Sequence, residues 1–165
     1  MFDFFKKKAV LEELNCGDDQ IVAIAEGHQV PIESVPDDVF AQKMMGDSIA
    51  FSMDGKEATV CSPANGELTV LFPTGHAFGI TTADGVELLV HVGINTVNSK
   101  GEGFTILDKK QGDHVKAGDP IVKVNLNALH KTYDMSTMLI VTNANDKEIE
   151  FVREGDVHRG TEVGT

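Results

Sequence analysis

Turn residues punctuate the chain at close intervals from residue 20 onward. Glycine, proline, asparagine and aspartate separate short apolar runs, and this spacing is typical of an all-β sandwich or barrel. The runs that we predict as strands are residues 21–25, 50–52, 58–61, 68–72, 77–81, 86–94, 103–107, 121–124 and 138–142. Helical patterning is scarce, and the two predicted helices, residues 37–44 and 126–133, are both short.

A weak internal repeat accompanies this pattern. Residues 112–119 resemble residues 155–160, and each segment predicts a tight hairpin turn with glycine at its corner. The similarity suggests a sandwich built from two related motifs. Because no further apolar run precedes Thr165, we expect the last turn to be frayed.

Residues 1–19 differ from the rest of the chain. Three phenylalanines and three lysines occupy the first eight positions, and an acidic stretch follows. At helical spacing the apolar residues spread around the axis, so a flexible tail is favoured over a membrane-touching helix. We therefore predict a tail at 1–19 and a single domain at 20–165.

Composition narrows the choice of partners and compartment. The 165 residues are 41% hydrophobic and carry a net charge of −12, which allows a sizeable core, disfavours nucleic acid and anionic lipid, and favours a basic protein partner. The two cysteines, Cys16 and Cys61, suggest neither a disulfide framework nor a metal clasp. With no secretory signal and no apolar run long enough to span a bilayer, the sequence predicts a cytoplasmic protein.

Two histidines fall on strand-like runs. In residues 86–94 the even-numbered positions are apolar, so His91 points to the face opposite the packed side. His76 lies on a similar run, residues 72–80. The pattern predicts that both imidazoles meet on one exposed sheet face.

A neutral imidazole on such a face is a candidate nucleophile. If one ring nitrogen of His91 donates its proton to a backbone carbonyl, the other nitrogen keeps a fixed lone pair. The apolar neighbours Leu89, Val92 and Ile94 would limit water near a covalent adduct, and small Gly93 would leave room for a bulky group.

The upstream histidine suggests a supporting role. His76 is placed to hydrogen-bond the adduct or offset its charge, and Thr74, two residues earlier, to fix the tautomer of His76. The alternative is that both histidines are ordinary surface residues. Because the two histidines are paired and each has a glycine nearby, the functional interpretation is favoured over this alternative.

The chain contains more apolar residues than a core would need near the two histidines. We predict that some form a ring for docking a partner, with Asp37 and Asp38 on its rim to attract basic side chains. The ring is drawn from Phe40, Met44, Met45, Phe72, Phe78, Leu89 and Val97. The alternative is that most of them are core, and for Phe78 and Val97 the two interpretations are equally matched.

Several longer motifs occur in one order along the chain. They are residues 35–37 with 39–41, 45–47, 72–78, 85–94 and 100–104. Through these motifs the chain resembles the glucose-type enzyme IIA of the bacterial phosphoenolpyruvate-dependent sugar phosphotransferase system, over about residues 21–160.

The resemblance implies a phosphocarrier with a flattened antiparallel β-sandwich. Such a protein accepts a phosphoryl group from the small histidine phosphocarrier protein and passes it to a cysteine on the IIB domain of a sugar permease, at the inner face of the membrane. His91 matches the phosphorylated histidine, His76 the second active-site histidine and Thr74 the threonine that hydrogen-bonds it. A phosphocarrier of this kind requires no cofactor.

The chain departs from the family pattern at several positions. Asn95 stands where aspartate is common, Leu89 where phenylalanine is frequent and Asp38 at a usually apolar position, and residues 26–28 replace the usual first turn. These changes keep the acceptor histidine. They move a rim carboxylate, which affects partner preference.

Other functions remain as alternatives. Enteric members of the family also regulate other permeases and a kinase when unphosphorylated, and there the two histidines share a zinc ion with a partner's carboxylate. A zinc hydrolase on a related scaffold is remote, because its His-x-x-x-Asp and His-x-His ligand patterns do not occur. Residues 112–121 are similar to a hairpin of lipoyl and biotinyl carrier domains, for which Lys43 and residues 108–110 are the nearest attachment candidates.

Overall fold

A computed structural model of the chain describes residues 14–152 and 155–165. Its strands are β1 (Ile21–Val22), β2 (Gly27–Val30), β3 (Asp47–Met53), β4 (Ala58–Cys61), β5 (Gly66–Leu71), β6 (Ala77–Thr81), β7 (Glu87–Val92), β8 (Phe104–Ile106), β9 (His114–Val115), β10 (Pro120–Val124), β11 (Thr137–Asn143), β12 (Gly155–Val157) and β13 (Glu162–Gly164). The helices are α1 (Asp38–Ala41) and α2 (Leu126–Leu129), and 3₁₀ turns span Ile32–Ser34 and Thr96–Ser99.

The strands form three antiparallel sheets. The largest has eight strands in the order β12-β2-β3-β11-β7-β6-β5-β9, a second has the order β4-β10-β8, and β1 pairs with β13. The predicted all-β fold with two short helices is confirmed, and each predicted run overlaps a strand. Helix α1 is shorter than predicted, because Lys43, two residues after its end, takes a left-handed conformation (φ 56°).

The end of the chain corrects one expectation. Strand β13 pairs with β1 near Thr165, and Val163 within it is only 1% exposed. The expectation of a frayed last turn was therefore wrong. A single buried valine between polar residues carries no apolar pattern, and the backbone pairing with β1 forms the strand instead.

The two related segments form turns, but not hairpins. Gly118 and Gly160 both have φ near +90°, which favours glycine, and each follows a short strand, β9 or β12. Strand β9 pairs with β5 and β12 with β2, so the flanking strands do not pair with each other. The side chain of Leu14 lies against both glycines and joins the two turns.

Two apolar clusters lie on opposite faces of β7. Leu88, Val90 and Val92 belong to the main core. Leu89, on the other face, packs against a smaller second cluster, which consists of Ile32, Val35, Phe40, Ala50, Ile94, Met138 and Ile140. The second cluster covers the face of β7 that the sequence pattern had left open.

The segment before the first strand contacts the domain. The Asn65 side-chain amide donates to the Cys16 carbonyl at 2.9 Å and to the Asp18 carboxylate at 3.1 Å. The predicted domain boundary at residue 19 stays a prediction, and most of the predicted tail lies outside the described residues. Over the ranges that the structure describes, no helix has the length and apolar character needed to cross a membrane.

Candidate active site at the histidine pair

The antiparallel register of β6 and β7 brings the two histidines together. His91 lies opposite Ala77, and the Val92 amide donates to the His76 carbonyl at 2.7 Å. The imidazole centroids are 5.3 Å apart, with the rings inclined at 81°. The predicted meeting of the two side chains is therefore found.

The pair is not on an exposed sheet face, as the sequence pattern had suggested. His76 is only 3% exposed and His91 is half-buried. The Phe40 ring lies 5.0 Å from the His91 ring, and the Phe72 ring lies 5.1 Å from that of His76. Aromatic side chains therefore cover both imidazoles and make their surroundings largely apolar.

A backbone carbonyl fixes the tautomer of His91. Its Nδ1 lies 2.9 Å from the Gly93 carbonyl oxygen, which only accepts hydrogen bonds. In the neutral ring Nδ1 therefore carries the proton and Nε2 carries the lone pair. The sequence had marked Gly93 only as a small residue, since a local backbone partner leaves no pattern of residue types.

Thr74 contacts the second imidazole. Its Oγ1 lies 2.6 Å from Nδ1 of His76, which is the contact that the sequence predicted. The backbone is a turn rather than the assumed regular strand, because Pro73 is present, Gly75 has φ +80° and its amide donates to the Phe72 carbonyl at 2.8 Å. This turn brings residues 74 and 76 together.

The surroundings favour neutral imidazoles. Burial lowers the pKa of His76 below its ordinary value. The pKa of His91 is also lowered, mainly by burial and then by the neighbouring His76, against opposing effects of the Gly93 carbonyl and the Asp37 charge. Near neutral pH, His91 thus offers an unprotonated Nε2.

Only part of the predicted docking ring is exposed. Exposed fractions are 68% for Met44, 39% for Met45, 40% for Phe72 and 52% for Val97. Phe40 and Leu89 mainly pack in the second cluster. The prediction that Phe78 contributes to docking was wrong, because this side chain is fully buried in the main core.

One exposed apolar residue was missed. Val39 is 41% exposed on α1, next to the buried Phe40. A helix of four residues is too short to show which of two adjacent apolar side chains faces out. The apolar character of Val39, close in sequence to Phe40, is the one feature of the sequence that could have identified it.

The acidic residues before and on α1 have different positions. Asp37 caps the helix by accepting a hydrogen bond from the Val39 amide at 2.9 Å, and its charge acts on His91. Asp38 is exposed. Asn95 is also exposed and adopts a left-handed conformation with φ 60°, which asparagine tolerates better than most residues.

The histidine pair does not resemble a closed metal site or an enclosed pocket. Within residues 14–152 and 155–165, no group of three or more histidine, cysteine, aspartate or glutamate side chains is placed to hold a metal ion. One cleft, of about 270 Å³, lies elsewhere and is lined by residues that include Asp84, Lys147 and Thr165. The candidate lysines of the carrier-domain alternative form ion pairs, Lys43 with Asp47 and Lys109 with Asp119.

The fold and the site together define a β-sandwich protein in which two histidines pack side by side beneath aromatic side chains. Comparison with known proteins agrees. Residues 19–147 match the family described as "phosphoenolpyruvate-dependent sugar phosphotransferase system, EIIA 1". The chain therefore belongs to this family and is a phosphotransferase component of the sugar phosphotransferase system.

Relatives and a solved structure support this membership. A "PTS system glucose-specific EIIA component" of Halalkalibacterium halodurans is 46% identical over 138 residues, which cover 83% of this chain and 78% of the relative. A "PTS system glucose-specific EIICBA component" of Staphylococcus carnosus is 39% identical over 94% of this chain, which spans only 23% of that longer protein. The glucose permease IIA from Mycoplasma capricolum superposes with a TM-score of 0.81 at 36% identity, covering 88% of this chain and 93% of that one.

Proposed function

We propose that His91 carries the phosphoryl group, on Nε2, between the histidine phosphocarrier protein and a sugar permease. One observation carries this proposal. The Gly93 carbonyl accepts the Nδ1 proton of His91, so the lone pair resides on Nε2 in a ring whose pKa is lowered. A nucleophile that is neutral and already in the correct tautomer needs no proton transfer before attack.

In the first step, the Nε2 lone pair of His91 attacks the phosphorus of the donor's phosphohistidine. A P–N bond to His91 forms while the P–N bond to the donor breaks, and the donor nitrogen regains its electron pair. The Nδ1 proton stays on His91. In-line positioning and charge stabilisation are the main demands of such a transfer.

His76 is proposed to stabilise the transferred group. In the tautomer that this role requires, the Thr74 hydroxyl donates to Nδ1 of His76, and the Nε2–H of that ring donates to a phosphoryl oxygen. The centroid of the His76 ring lies 5.3 Å from that of His91, so this donor is close to a phosphoryl group carried by His91. Covering by Phe40 and Phe72 limits the water that would hydrolyse the P–N bond.

In the second step, a cysteine thiolate of the permease IIB domain attacks the phosphorus. The P–S bond forms, the P–N bond to His91 breaks, and Nε2 regains its lone pair. The longer relatives named EIICBA components fit this order, because their names combine the A component with permease components in one protein. We place the reaction in the cytoplasm, at the permease.

Both partners are proposed to dock around the histidine pair. Exposed apolar side chains at Val39, Met44, Met45, Phe72 and Val97 offer contact area, and Asp37 and Asp38 offer negative charge. The net charge of −12 favours encounter with a basic partner surface. Glucose is the sugar suggested by the names of the relatives.

A zinc ion shared with a partner remains part of the proposal. Both Nδ1 atoms are engaged, by Thr74 and by Gly93, which leaves Nε2 of His76 and of His91 as possible ligands. Two histidines bound to one tetrahedral zinc have centroids about 5 Å apart, so the pair fits half of a ligand set. Zinc would link this surface to a partner's carboxylate.

A labelling experiment tests the acceptor. Incubated with labelled phosphoenolpyruvate, enzyme I and the histidine phosphocarrier protein, His91→Ala should gain no label. His76→Gln should gain label and fail to pass it to the IIB domain, because the donor that stabilises the transferred group is altered. The exposed-site variant His130→Ala is the control and should behave as wild type. Retained labelling of folded His91→Ala would defeat the assignment.

A further inference from the structure

The peptide units around Gly93 are anchored on every side. The Gly93 amide donates to the Ser136 carbonyl at 3.0 Å, and the Ile94 amide donates to the Asp134 carbonyl at 2.8 Å. The Val92 carbonyl, which belongs to the same peptide unit as the Gly93 amide, accepts a hydrogen bond from Oγ1 of Thr96 at 2.5 Å. The carbonyl that holds the His91 proton thus lies within a network that includes one buried hydroxyl.

Thr96 is fully buried at the start of the Thr96–Ser99 turn, directly after left-handed Asn95. Its methyl group also contacts Gly93, because a Cβ built on Gly93 would lie 2.5 Å from Cγ2 of Thr96. The hydroxyl and the methyl of one side chain therefore act on adjacent residues. The hydroxyl holds Val92, and the methyl packs against Gly93.

We propose that Thr96 is a positioning residue for phosphoryl transfer, which orients the Gly93 carbonyl toward Nδ1 of His91 and so keeps the lone pair on Nε2. The proposal rests on the proposed role of His91 as acceptor. Thr96 acts through Gly93 and needs no contact with the phosphoryl group.

The physical reason lies in the freedom of glycine. Gly93 has φ +79° and no side chain, so the direction of its carbonyl depends on the hydrogen bonds of its two peptide units, one of which Thr96 donates to the Val92 carbonyl. A rotated Gly93 carbonyl would release Nδ1–H, and the ring would populate the tautomer with its proton on Nε2. That tautomer has no lone pair where the P–N bond must form.

A hydroxyl at this position also has a local structural use, since it satisfies a backbone carbonyl near a strand end. A purely structural role predicts lower stability with an unchanged His91 tautomer. The positioning role predicts a changed tautomer, which ring ¹⁵N chemical shifts report, because nitrogens with and without a proton have well-separated shifts.

The decisive variant is Thr96→Val, which removes the hydroxyl and preserves shape. At about pH 8.5, where imidazoles of ordinary or lowered pKa are neutral, we expect wild type to show His91 with its proton on Nδ1. Thr96→Val should show a mixture of tautomers. Single-turnover transfer from the phosphorylated carrier protein should slow in proportion to the fraction of His91 that has lost the Nδ1 proton, about twofold for an equal mixture.

Two further variants separate the effect of the Thr96 hydroxyl from effects of side-chain shape and of general stability. Thr96→Ser keeps the donor and should retain the wild-type tautomer and a rate close to wild type. Thr82→Val is the control, because Thr82 is a buried threonine at the opposite end of β7 from Thr96, where its hydroxyl oxygen accepts a hydrogen bond from the Val86 amide. It should leave the tautomer of His91 unchanged. If Thr96→Val fails to fold, Thr96→Cys, a weak donor of similar size, should show the mixed tautomers.

The outcomes distinguish the positioning role of Thr96 from the proposal that His91 accepts the phosphoryl group. Folded Thr96→Val with the wild-type tautomer overturns the positioning role, as does an unchanged transfer rate when His91→Ala abolishes labelling. If His91→Ala still accepts label, the acceptor assignment fails, and a tautomer change in Thr96→Val would still establish that Thr96 orients this ring.

Discussion

The molecule contains a second set of histidines that contrasts with His76 and His91. His28 contacts the Asp156 carboxylate through Nδ1 and the Asp54 carboxylate through Nε2 at 3.3 Å. His158 contacts Glu26 through Nδ1 at 2.7 Å. Both are exposed and face carboxylates, whereas His76 and His91 are covered by aromatic rings and face one another.

The difference shows that surroundings, not residue type, decide what an imidazole does here. The hydrogen bond to Glu26 raises the pKa of His158, so this ring favours the charged form and serves in an ion pair. Burial lowers the pKa of His91, so that ring favours the neutral form with a free lone pair. Only the second environment makes a nucleophile.

The largest expected effect comes from Gly93→Ala, which disturbs the backbone acceptor of His91. Its φ of +79° costs about 1–2 kcal/mol for alanine, and overlap of the new Cβ with Thr96 and Met135 adds about 1–3 kcal/mol. Gly112→Ala is the control, because Gly112 has φ +98° and no atom within 4 Å of a built Cβ. Denaturant unfolding should show a clearly greater loss for Gly93→Ala, and equal losses would contradict the packing around Gly93.

A smaller effect is expected from Phe40→Leu, which makes the environment of His91 more like that of the exposed pair. Less aromatic cover should move the pKa of His91 upward toward its ordinary value, at a cost of about 1–2 kcal/mol in stability. NMR titration of the ring protons measures the shift. Phe151→Leu, in a half-buried residue against the main core, should leave that titration in place. An unmoved midpoint in Phe40→Leu would show that this ring does not desolvate the imidazole.

The pH dependence of stability should have opposite sign for the buried pair and for His158. For His76 and His91, whose pKa values are lowered, the stabilising contribution is complete above about pH 6.5 and declines as the pH falls toward their folded-state pKa values. For His158 the contribution is complete below that pH and is lost as the pH rises through its raised pKa. NMR midpoints below 6.5 for the first pair and above it for His158 are expected, and the reverse order would refute the contrast.

The smallest effect is expected from Glu26→Gln, which removes the carboxylate beside His158. The pKa of His158 should fall toward its ordinary value, since the hydrogen bond that its ring donates to the charged Glu26 carboxylate is lost. Exposed ion pairs contribute little to stability, so the melting temperature should hardly change. Phosphoryl acceptance should stay at the wild-type rate, and a marked loss would mean that the ion-paired edge also serves the reaction.

Sequence patterns predicted the strands that contain runs of apolar side chains and missed those that contain only one. Strands β2, β9, β12 and β13 were missed because they are short or polar, and their formation depends on pairing with distant segments. The alternation around His91 correctly placed it opposite the main core. It gave no sign of the second cluster, because Phe40 and Met138 reach that face from remote parts of the chain.

The same limit applies within the site. Spacing along two adjacent strands predicted that His76, His91 and Thr74 would meet. The Gly93 carbonyl and the Thr96 hydroxyl were not predicted, because hydrogen bonds to the backbone depend on local dihedral angles rather than on residue patterns. Phe78 was misassigned because alternation does not distinguish a core phenylalanine from an exposed one beside a turn.

The most direct test of the account is the position of the phosphoryl group in the phosphorylated protein. Correlation of ³¹P with the ring nuclei of the histidines, after transfer from the phosphorylated carrier protein, measures it without mutation. We predict a single phosphohistidine at residue 91, bonded through Nε2, with the proton retained on Nδ1. A phosphoryl group on His76, on an exposed histidine, or on Nδ1 of His91 would contradict the account.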